Sequence, residues 1–398
     1  MRKNLSILTL LLCATACIYP YTPELDEAPE GVLAVDANIS IGDVSTVRLS
    51  ALRSIWPSGN SVFPDFHDAA GWVEDETCVS YPGTPSPQYF GYYDIYFPGI
   101  ALFTIPTENA PADRRYRLCV DALGAKYVSD WTDIAAPPVI REINFSADEE
   151  RVSVNVSVDA GAEATGYFLL SFDETWEFHA DYTPSYIVSV IPGVIPGTDH
   201  VSIVEDSPDY SKYWCWNSSD NHQLFPVDYT AMSDSGITSW PIFRFSRKDS
   251  RNHKRYCVNI KARTLSKETY RFLKNLENNT TGGDNLFTPT PGEIAGNLRC
   301  ESDPERTVLG YVLFSRTTSK RAWLDSRYLR ISRPHTLLYP TEEHFLEYYN
   351  NGYLPLEELV PELREEGTGP YGWGPRYCYD CTAAGGTQEK PDFWDDAE

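Results

Sequence analysis

Apolar and polar residues alternate along much of this chain, and a period of two residues predicts β-strands with one buried face. The alternation is clearest at Val152–Val158, where four valines are separated by serine and asparagine. Leu33–Ile39 shows the same period, and Val47–Leu49 continues it after a Gly-Asp turn. Further strands are predicted at Gln88–Phe97, Arg115–Ala122, Tyr167–Phe172, Tyr186–Val190, Arg255–Arg263 and Val308–Phe314. The pattern therefore predicts a mainly β protein.

A helical period replaces the alternation in two places. Ser266 is a suitable N-cap, and apolar residues follow it at helical spacing, which predicts a helix near residues 267–278. These apolar residues are Tyr270, Leu273 and Leu276. A second helix is predicted at Glu342–Asn350, between a Pro-Thr pair and a glycine.

The proline pair Pro137-Pro138 interrupts the strand pattern and indicates a domain joint. We expect an immunoglobulin-like β-sandwich over residues 31–136. A larger β-domain with the first helix inserted in it is expected over residues 137–333. Residues 334–398 are expected to form a C-terminal extension. The 398 residues are enough for two or three domains.

The first residues have the order of a bacterial lipoprotein signal peptide. A positively charged pair precedes the apolar run Leu5–Leu12, and small residues stand directly before Cys17. The run is too short to span a bilayer, which needs about 20 apolar residues. We predict that residues 1–16 are removed and that Cys17 carries acyl chains such as palmitate. An ordinary secreted protein cut after Ala16 is the alternative.

Composition limits the classes of partner that the chain can bind. Residues 17–30 are rich in proline and acids, which predicts an extended tether. The whole chain carries 33 basic and 57 acidic residues, a net charge of −24. Such a charge repels phosphate backbones, so nucleic acid is excluded as a partner. Aromatic residues make up 13% of the chain, which favours β-structure or a carbohydrate-facing surface.

Nine cysteines are present. Cys13 leaves with the leader and Cys17 is acylated, so seven remain for an oxidising compartment, where disulfides with one free thiol are expected. Cys78 and Cys119 fall in one predicted domain and make a reasonable pair. We hypothesise that two more bridges fasten the tail to the second domain, formed by Cys215, Cys300, Cys378 and Cys381. Cys257 is then the free thiol, a small core residue on the strand face opposite its apolar neighbours.

Motifs of common enzymes are missing from the sequence. It has no serine-hydrolase elbow, phosphate-binding loop or dinucleotide motif. The Cys-x-x-Cys at Cys378–Cys381 supplies half of a zinc site, so we expect no metal and no cofactor. A glycosidase would need a pair of carboxylates, and the best candidates for such a pair are Asp173, Glu174 and Glu177. The preferred explanation of this cluster is a solvated strand edge. We therefore expect no catalytic residues and no enzymatic activity.

Aromatic residues provide weak candidates for ligand binding, since a ring face is a flat apolar platform for a sugar. These are Trp216, in the run Tyr213–Trp216, and Tyr371 and Trp373 in the tail. Packing around a disulfide is the alternative interpretation of both clusters.

Several segments carry a resemblance to a known family. They are Leu265–Tyr270, Asn285–Pro291, Gly296–Leu298, Val308–Val312, Cys378–Cys381 and Lys390–Trp394. Through them the chain resembles domain-of-unknown-function family 4249, lipoproteins of Bacteroidetes-type bacteria. The resemblance implies a protein lipid-anchored to the outer membrane, on its surface or periplasmic face, that accompanies a TonB-dependent transporter as a binding or accessory subunit. A structural or adhesive envelope subunit and a hydrolase of surface glycans or peptides stay open as alternatives.

Overall fold

The computed structural model describes residues 32–52, 65–86, 89–90, 95–96, 99–159, 166–195, 197–230, 236–281, 296–329 and 335–395. The predicted leader (residues 1–16), the tether (residues 17–30) and Cys17 lie outside these residues. Most of the strand predicted at Gln88–Phe97 lies outside them as well. Within the described ranges, no helix has the length and apolar character needed to cross a membrane.

Strands dominate the described residues, which confirms the mainly β fold. In chain order the strands are β1 (Leu33–Ser40), β2 (Val44–Ala51), β3 (Ala70–Asp75), β4 (Ser80–Pro82), β5 (Thr84–Ser86), β6 (Tyr89–Phe90), β7 (Ile95–Tyr96), β8 (Ile100–Pro106), β9 (Tyr116–Ala122), β10 (Ala125–Ser129), β11 (Val139–Ala147), β12 (Arg151–Asp159), β13 (Tyr167–His179), β14 (Tyr186–Ile191), β15 (His200–Glu205), β16 (Trp214–Asp228), β17 (Gly236–Ser246), β18 (Arg255–Thr264), β19 (Leu298–Cys300), β20 (Val308–Ser315), β21 (Thr317–Asp325), β22 (Leu354–Glu358) and β23 (Tyr371–Gly374). The helices are α1 (Lys267–Thr281) and α2 (Phe345–Asn350).

Both helices stand where the sequence predicts them. The Ser266 hydroxyl accepts a hydrogen bond from the Thr269 amide at 3.1 Å, which caps α1. A turn of 3-10 helix, Glu342–His344, leads directly into α2. Together that turn and α2 cover the predicted range.

The first sandwich consists of two five-stranded sheets, β20-β1-β2-β8-β5 and β19-β10-β9-β3-β4. Alternate residues of β1 are buried, as the two-residue period requires. Val35, Leu49 and Phe103 from one sheet pack with Leu118 and Tyr127 from the other in a shared apolar core. This is the sandwich predicted at the start of the chain.

Two strands of this sandwich come from a later part of the chain than expected. β19 pairs with β10, and β20 pairs in parallel with β1. The sequence pattern placed residues 298–315 in the second domain, because periodicity identifies a strand but not its neighbour. Gly310, with φ +119°, permits the parallel pairing, since a Cβ there would lie 1.9 Å from the Val35 carbonyl oxygen.

The second sandwich packs the sheet β11-β12-β17 against the sheet β16-β13-β18-β21. The alternating valines of β12 all point into this core, together with Phe172 of β13. Tyr256, Val258 and Ile260 of β18 share the core face, as predicted. Cys257 is buried on the opposite face of β18 and is free, which agrees with its expected role as a small packed thiol.

Helix α1 joins the two sandwiches. Tyr270 stacks on Tyr167 of β13 with ring centroids 4.7 Å apart, and Phe272 stacks on Tyr311 of β20 at 4.3 Å. Only Arg316 separates β20 in the first sandwich from β21 in the second. The helix and this short connection hold the sandwiches in contact.

The C-terminal extension is tied to the second sandwich by a cysteine pair, as predicted. Cys381 forms a disulfide with Cys215 of β16, with Cα atoms 5.7 Å apart. Thr387 and Trp216 exchange two backbone hydrogen bonds of 2.7 and 2.8 Å just beyond it. The strands β22 and β23 pair within the extension and cover a small core around Leu337.

The remaining disulfide predictions are wrong. Cys78 and Cys119 are both free, since Cys78 is exposed in the turn after β3 and Cys119 is buried beside Glu74. Cys300 and Cys378 are also free, because Cys300 packs in the core of the first sandwich and Cys378 in that of the extension. Five free cysteines therefore occur in the described part of the chain instead of one.

Candidate functional site

The outer face of the sheet β16-β13-β18-β21 carries large aromatic side chains. Cys215 of β16 packs in the core, so its neighbours Trp214 and Trp216 point outward. Leu324 packs against the same core, which directs Trp323 of β21 outward as well. The two-residue period of the strands thus places three tryptophans on the face of the sheet that points away from the core.

The C-terminal segment covers one part of this aromatic surface. Trp394 is buried, with its ring centroid 4.9 Å from that of Trp323 and 6.5 Å from that of Trp216. The Arg255 guanidinium lies 4.5 Å from the Trp323 ring, and Arg255 donates a hydrogen bond to the Trp394 carbonyl at 3.4 Å. Trp216 is therefore a packing residue beside the disulfide, as the alternative interpretation held.

The other part of the surface is uncovered, and we call it the aromatic platform: Tyr210, Tyr213, Trp214 and His179. Tyr210 is 60% exposed and Trp214 is 37% exposed. Tyr213 stacks on the His179 ring at 4.9 Å, and the Trp214 ring stands edge-on to both at 5.2 and 5.1 Å. These rings offer a partly open apolar surface of fixed shape.

Backbone bonds from three chain segments hold the aromatic platform in place. The Ala180 amide donates to the Tyr213 carbonyl at 2.9 Å, and the Cys381 amide donates to the Lys212 carbonyl at 3.0 Å. The Cys215–Cys381 disulfide lies directly beside these contacts. The rings thus sit on a cross-linked base, and little conformational freedom is left to lose when a ligand binds.

A buried carboxylate with two partly exposed cations secures the same base. Asp380 accepts hydrogen bonds from the Thr382 amide at 2.9 Å, from Arg376 at 2.9 Å and from Lys212 at 3.2 Å. Burial alone would raise the pKa of Asp380, but these bonds hold it well below its ordinary value. Asp380 is therefore a charged anchor between the extension and the segment that carries the platform tyrosines.

A charged pair borders the aromatic platform. The Lys254 ammonium lies 4.7 Å from the Trp214 ring centroid, a cation–π distance. The same ammonium is ion-paired with the buried Glu177 carboxylate. A positive charge thus lies against the Trp214 ring, with its counter-charge buried beneath it.

The family match covers the platform. Residues 18–321 match the family described as Domain of unknown function (DUF4249). The chain belongs to the DUF4249 family. No curated protein matches the chain. The DUF4249 region includes Tyr210, Tyr213 and Trp214 and ends within β21, so Cys381 and the rest of the extension lie beyond the matched residues.

The carboxylates considered for a glycosidase do not converge in this DUF4249 chain. Glu174 points into the sandwich core, where it accepts a hydrogen bond from the Tyr256 hydroxyl at 2.8 Å. Asp173 and Glu177 lie on the other face of β13, four residues apart. Each of the three is ion-paired with its own cation, namely Arg251, Lys261 and Lys254. The expectation of a solvated strand edge is also wrong, because β13 is an inner strand and Glu174 and Glu177 are buried.

The tail aromatics are separate from the platform. Trp373 is fully buried, with its ring 5.1 Å from that of Phe345, so it has no face open to a ligand. Tyr371 packs edge-on to Tyr186 at 5.4 Å. The run Tyr213–Trp216 predicts Trp216 as a ligand contact, whereas the exposed ring is that of Trp214, although both tryptophans share one strand face. Only the position of Trp394 distinguishes them, and no local pattern reports it.

A cleft also lies in the first sandwich, away from the platform. It has a volume of about 530 Å³, lies at one end of the first sandwich and is lined by Asp65, His67, Asp68 and Asp121, among others. No cluster of three or more His, Cys, Asp or Glu side chains suited to a metal ion occurs in the part of the chain that the structure describes.

Proposed function

We propose that the protein is a non-enzymatic binding subunit, lipid-anchored at Cys17 to the outer membrane, that acts beside a TonB-dependent transporter. The aromatic platform carries this proposal. It is a partly exposed ring surface whose base is fixed by the Cys215–Cys381 disulfide. A fixed apolar surface with polar groups at its edge is suited to holding a ligand.

Neutral sugars are the ligand class that fits the platform. The faces of sugar rings are apolar and pack on aromatic rings, while their hydroxyls need donors and acceptors. Lys254 supplies a donor beside Trp214, and the buried Glu177 carboxylate holds the ammonium there. The net charge of −24 disfavours anionic glycans.

The pairing of the nearby carboxylates supports binding over hydrolysis. A glycosidase needs two carboxyl groups on either side of one sugar bond. Glu174 and Glu177 point to opposite faces of β13, and each is neutralised by its own cation. Neither is placed to act together with the other on one ligand.

Titration with neutral hexasaccharides tests the ligand class. We would add xylohexaose, mannohexaose, maltohexaose or cellohexaose to the mature chain and follow tryptophan fluorescence. Trp214→Ala should weaken binding about tenfold, because a stacked aromatic contact contributes ~1.5 kcal/mol beyond the area it buries. Trp131→Ala is the matched control, since Trp131 is 36% exposed and also carries a cation, Arg117, at 4.7 Å. Equal effects of the two substitutions, or no saturable binding of any sugar, would count against the platform.

Metabolic labelling with a radioactive fatty acid tests the anchor. The mature protein should carry the label, and Cys17→Ser should lose it and leave the membrane fraction. A label that persists in Cys17→Ser, or a wild-type protein without label, would contradict lipidation at Cys17.

A further inference from the structure

The hairpin of β14 and β15 forms a second exposed surface, and we call residues 186–205 the arm. Its base contacts the extension, where Tyr186 packs edge-on to Tyr371. At its tip Val194 is fully exposed and Ile195 is 65% exposed. Four more aliphatic side chains of the arm are exposed along its strands: Ile187, Val190, Ile191 and Val204.

Both faces of the arm are apolar. Ile187 lies opposite Val204 on one face. The other face carries two apolar pairs, Val188 with Ile203 and Val190 with Val201. A hairpin that only covers its own protein has one polar face towards water. In the described residues β14 and β15 form a two-stranded sheet, and no other described strand adds to it. The arm therefore presents apolar side chains and strand edges together.

The segment of the chain that contains the arm carries acidic residues and no lysine or arginine. No lysine or arginine occurs from Asp181 to Ser211. The same stretch holds five acidic residues: Asp181, Asp199, Glu205, Asp206 and Asp209. An apolar arm with an acidic surround is complementary to an apolar recess with a cationic rim.

We propose that the arm docks into an apolar recess of a partner protein whose rim carries lysine and arginine. This inference rests on the proposed accessory role and gives the chemistry of the partner's surface, while the platform remains free for ligand. A second copy of the chain is the poorer occupant, because two acidic, lysine-free arms repel each other.

A lipid bilayer is also a poorer occupant than a protein. The Asp199 carboxylate accepts a hydrogen bond from the Gly193 amide at 2.9 Å, so a carboxylate stands at the tip. Insertion of the tip would carry this charge towards the hydrocarbon region, and strand edges there would lose their hydrogen bonds to water. A protein recess can supply a cation for the Asp199 carboxylate and hydrogen-bond partners for the strand edges.

Site-specific photocrosslinking identifies the occupant. A photoreactive phenylalanine derivative would replace Val194 in the full-length lipidated protein within its own envelope. We expect one discrete adduct, joined to an apolar segment of an envelope protein that is flanked by lysine or arginine. The same probe at Leu363, an exposed leucine of the extension, should give no such adduct. An adduct with a second copy, with lipid alone or with a segment lacking basic residues would overturn the proposal.

Affinity between the purified chain and the crosslinked protein gives the second readout. The double variant Val194→Asp, Ile195→Asp should bind about 100-fold more weakly, about tenfold for each aliphatic side chain lost from the contact. Added salt should weaken wild-type binding. The control Val360→Asp, Leu363→Asp alters two exposed aliphatic residues of the extension and should bind as wild type does.

Two results would reject the arm and spare the proposed function. One is unchanged affinity of the tip variant for a partner that still co-purifies with it. The other is tip-dependent flotation of the chain with phosphatidylcholine vesicles. Loss of sugar binding in Trp214→Ala concerns the platform alone, so the two proposals fail separately.

Discussion

Replacing Asp380 with asparagine tests how the extension is held to the second sandwich. Asp380 is buried, and its two carboxylate oxygens accept from two atoms of Thr382, from Arg376 and from Lys212. Asparagine has one accepting oxygen and an amide group that donates. The asparagine NH2 group then faces either the Thr382 donors or the Arg376 and Lys212 donors, and the negative charge is lost.

The expected loss of stability is moderate. A hydrogen bond to a charged group contributes about 1.5–3 kcal/mol, and several are weakened here. Arg376 and Lys212 are half-exposed, so water takes over part of their solvation. We expect the free energy of unfolding to fall by about 2 kcal/mol.

The pH dependence has a definite sign. The folded-state pKa of Asp380 lies below its ordinary value of 3.8. Its contribution is therefore present above that value and is lost as the pH falls below it. Asp380→Asn should remove this part of the acid sensitivity.

Denaturant unfolding of the mature chain, followed by tryptophan fluorescence at pH 7 and at pH 3, measures both effects. Asp395→Asn is the matched control, since Asp395 is exposed and its carboxylate forms an ion pair with Lys390 at 2.6 Å. It should change stability by less than about 0.5 kcal/mol. Equal losses for the two variants at pH 7 would refute the role assigned to Asp380.

Further predictions concern the first sandwich and the covered aromatic surface. Burial alone would raise the pKa of Asp75, but its hydrogen bonds lower it to about 2, so acid unfolding between pH 4 and 2 should become shallower in Asp75→Asn. Trp394→Ala should destabilise the chain by about 3 kcal/mol in denaturant titrations and raise the reaction rate of Cys257 with a thiol reagent, because Trp394 covers the sheet face that buries Cys257. Replacing Cys215 and Cys381 together by serine should lower the free energy of unfolding by up to about 5 kcal/mol, the chain-entropy estimate for so long a loop, and reducing agent should then have no further effect on it.

Local patterns were sufficient for most elements of the fold. The valines of β12 alternate without interruption and all reach the core, and Ser266 caps α1 as its position predicts. These features depend on neighbours within a few residues. Strands can therefore be predicted from their two-residue period, and a helix start from its capping residue.

Contacts between distant segments of the chain could not be predicted from local patterns. The pattern of β20 is that of any buried strand, and nothing in it indicates pairing with β1. Trp214 and Trp216 have the same position in the strand period, yet only Trp216 lies under Trp394. Cysteine spacing likewise could not reveal that Cys300 and Cys378 pack in different cores. Each of these facts depends on contacts between distant segments.

Affinity isolation of the lipidated full chain from its own envelope tests the central claim most directly. We expect recovery of a TonB-dependent transporter in roughly stoichiometric amount, and we expect that recovery to be lost in Cys17→Ser. Isolation of the lipidated chain by itself, or of the same transporter in equal amount with Cys17→Ser, would contradict a membrane-anchored accessory subunit.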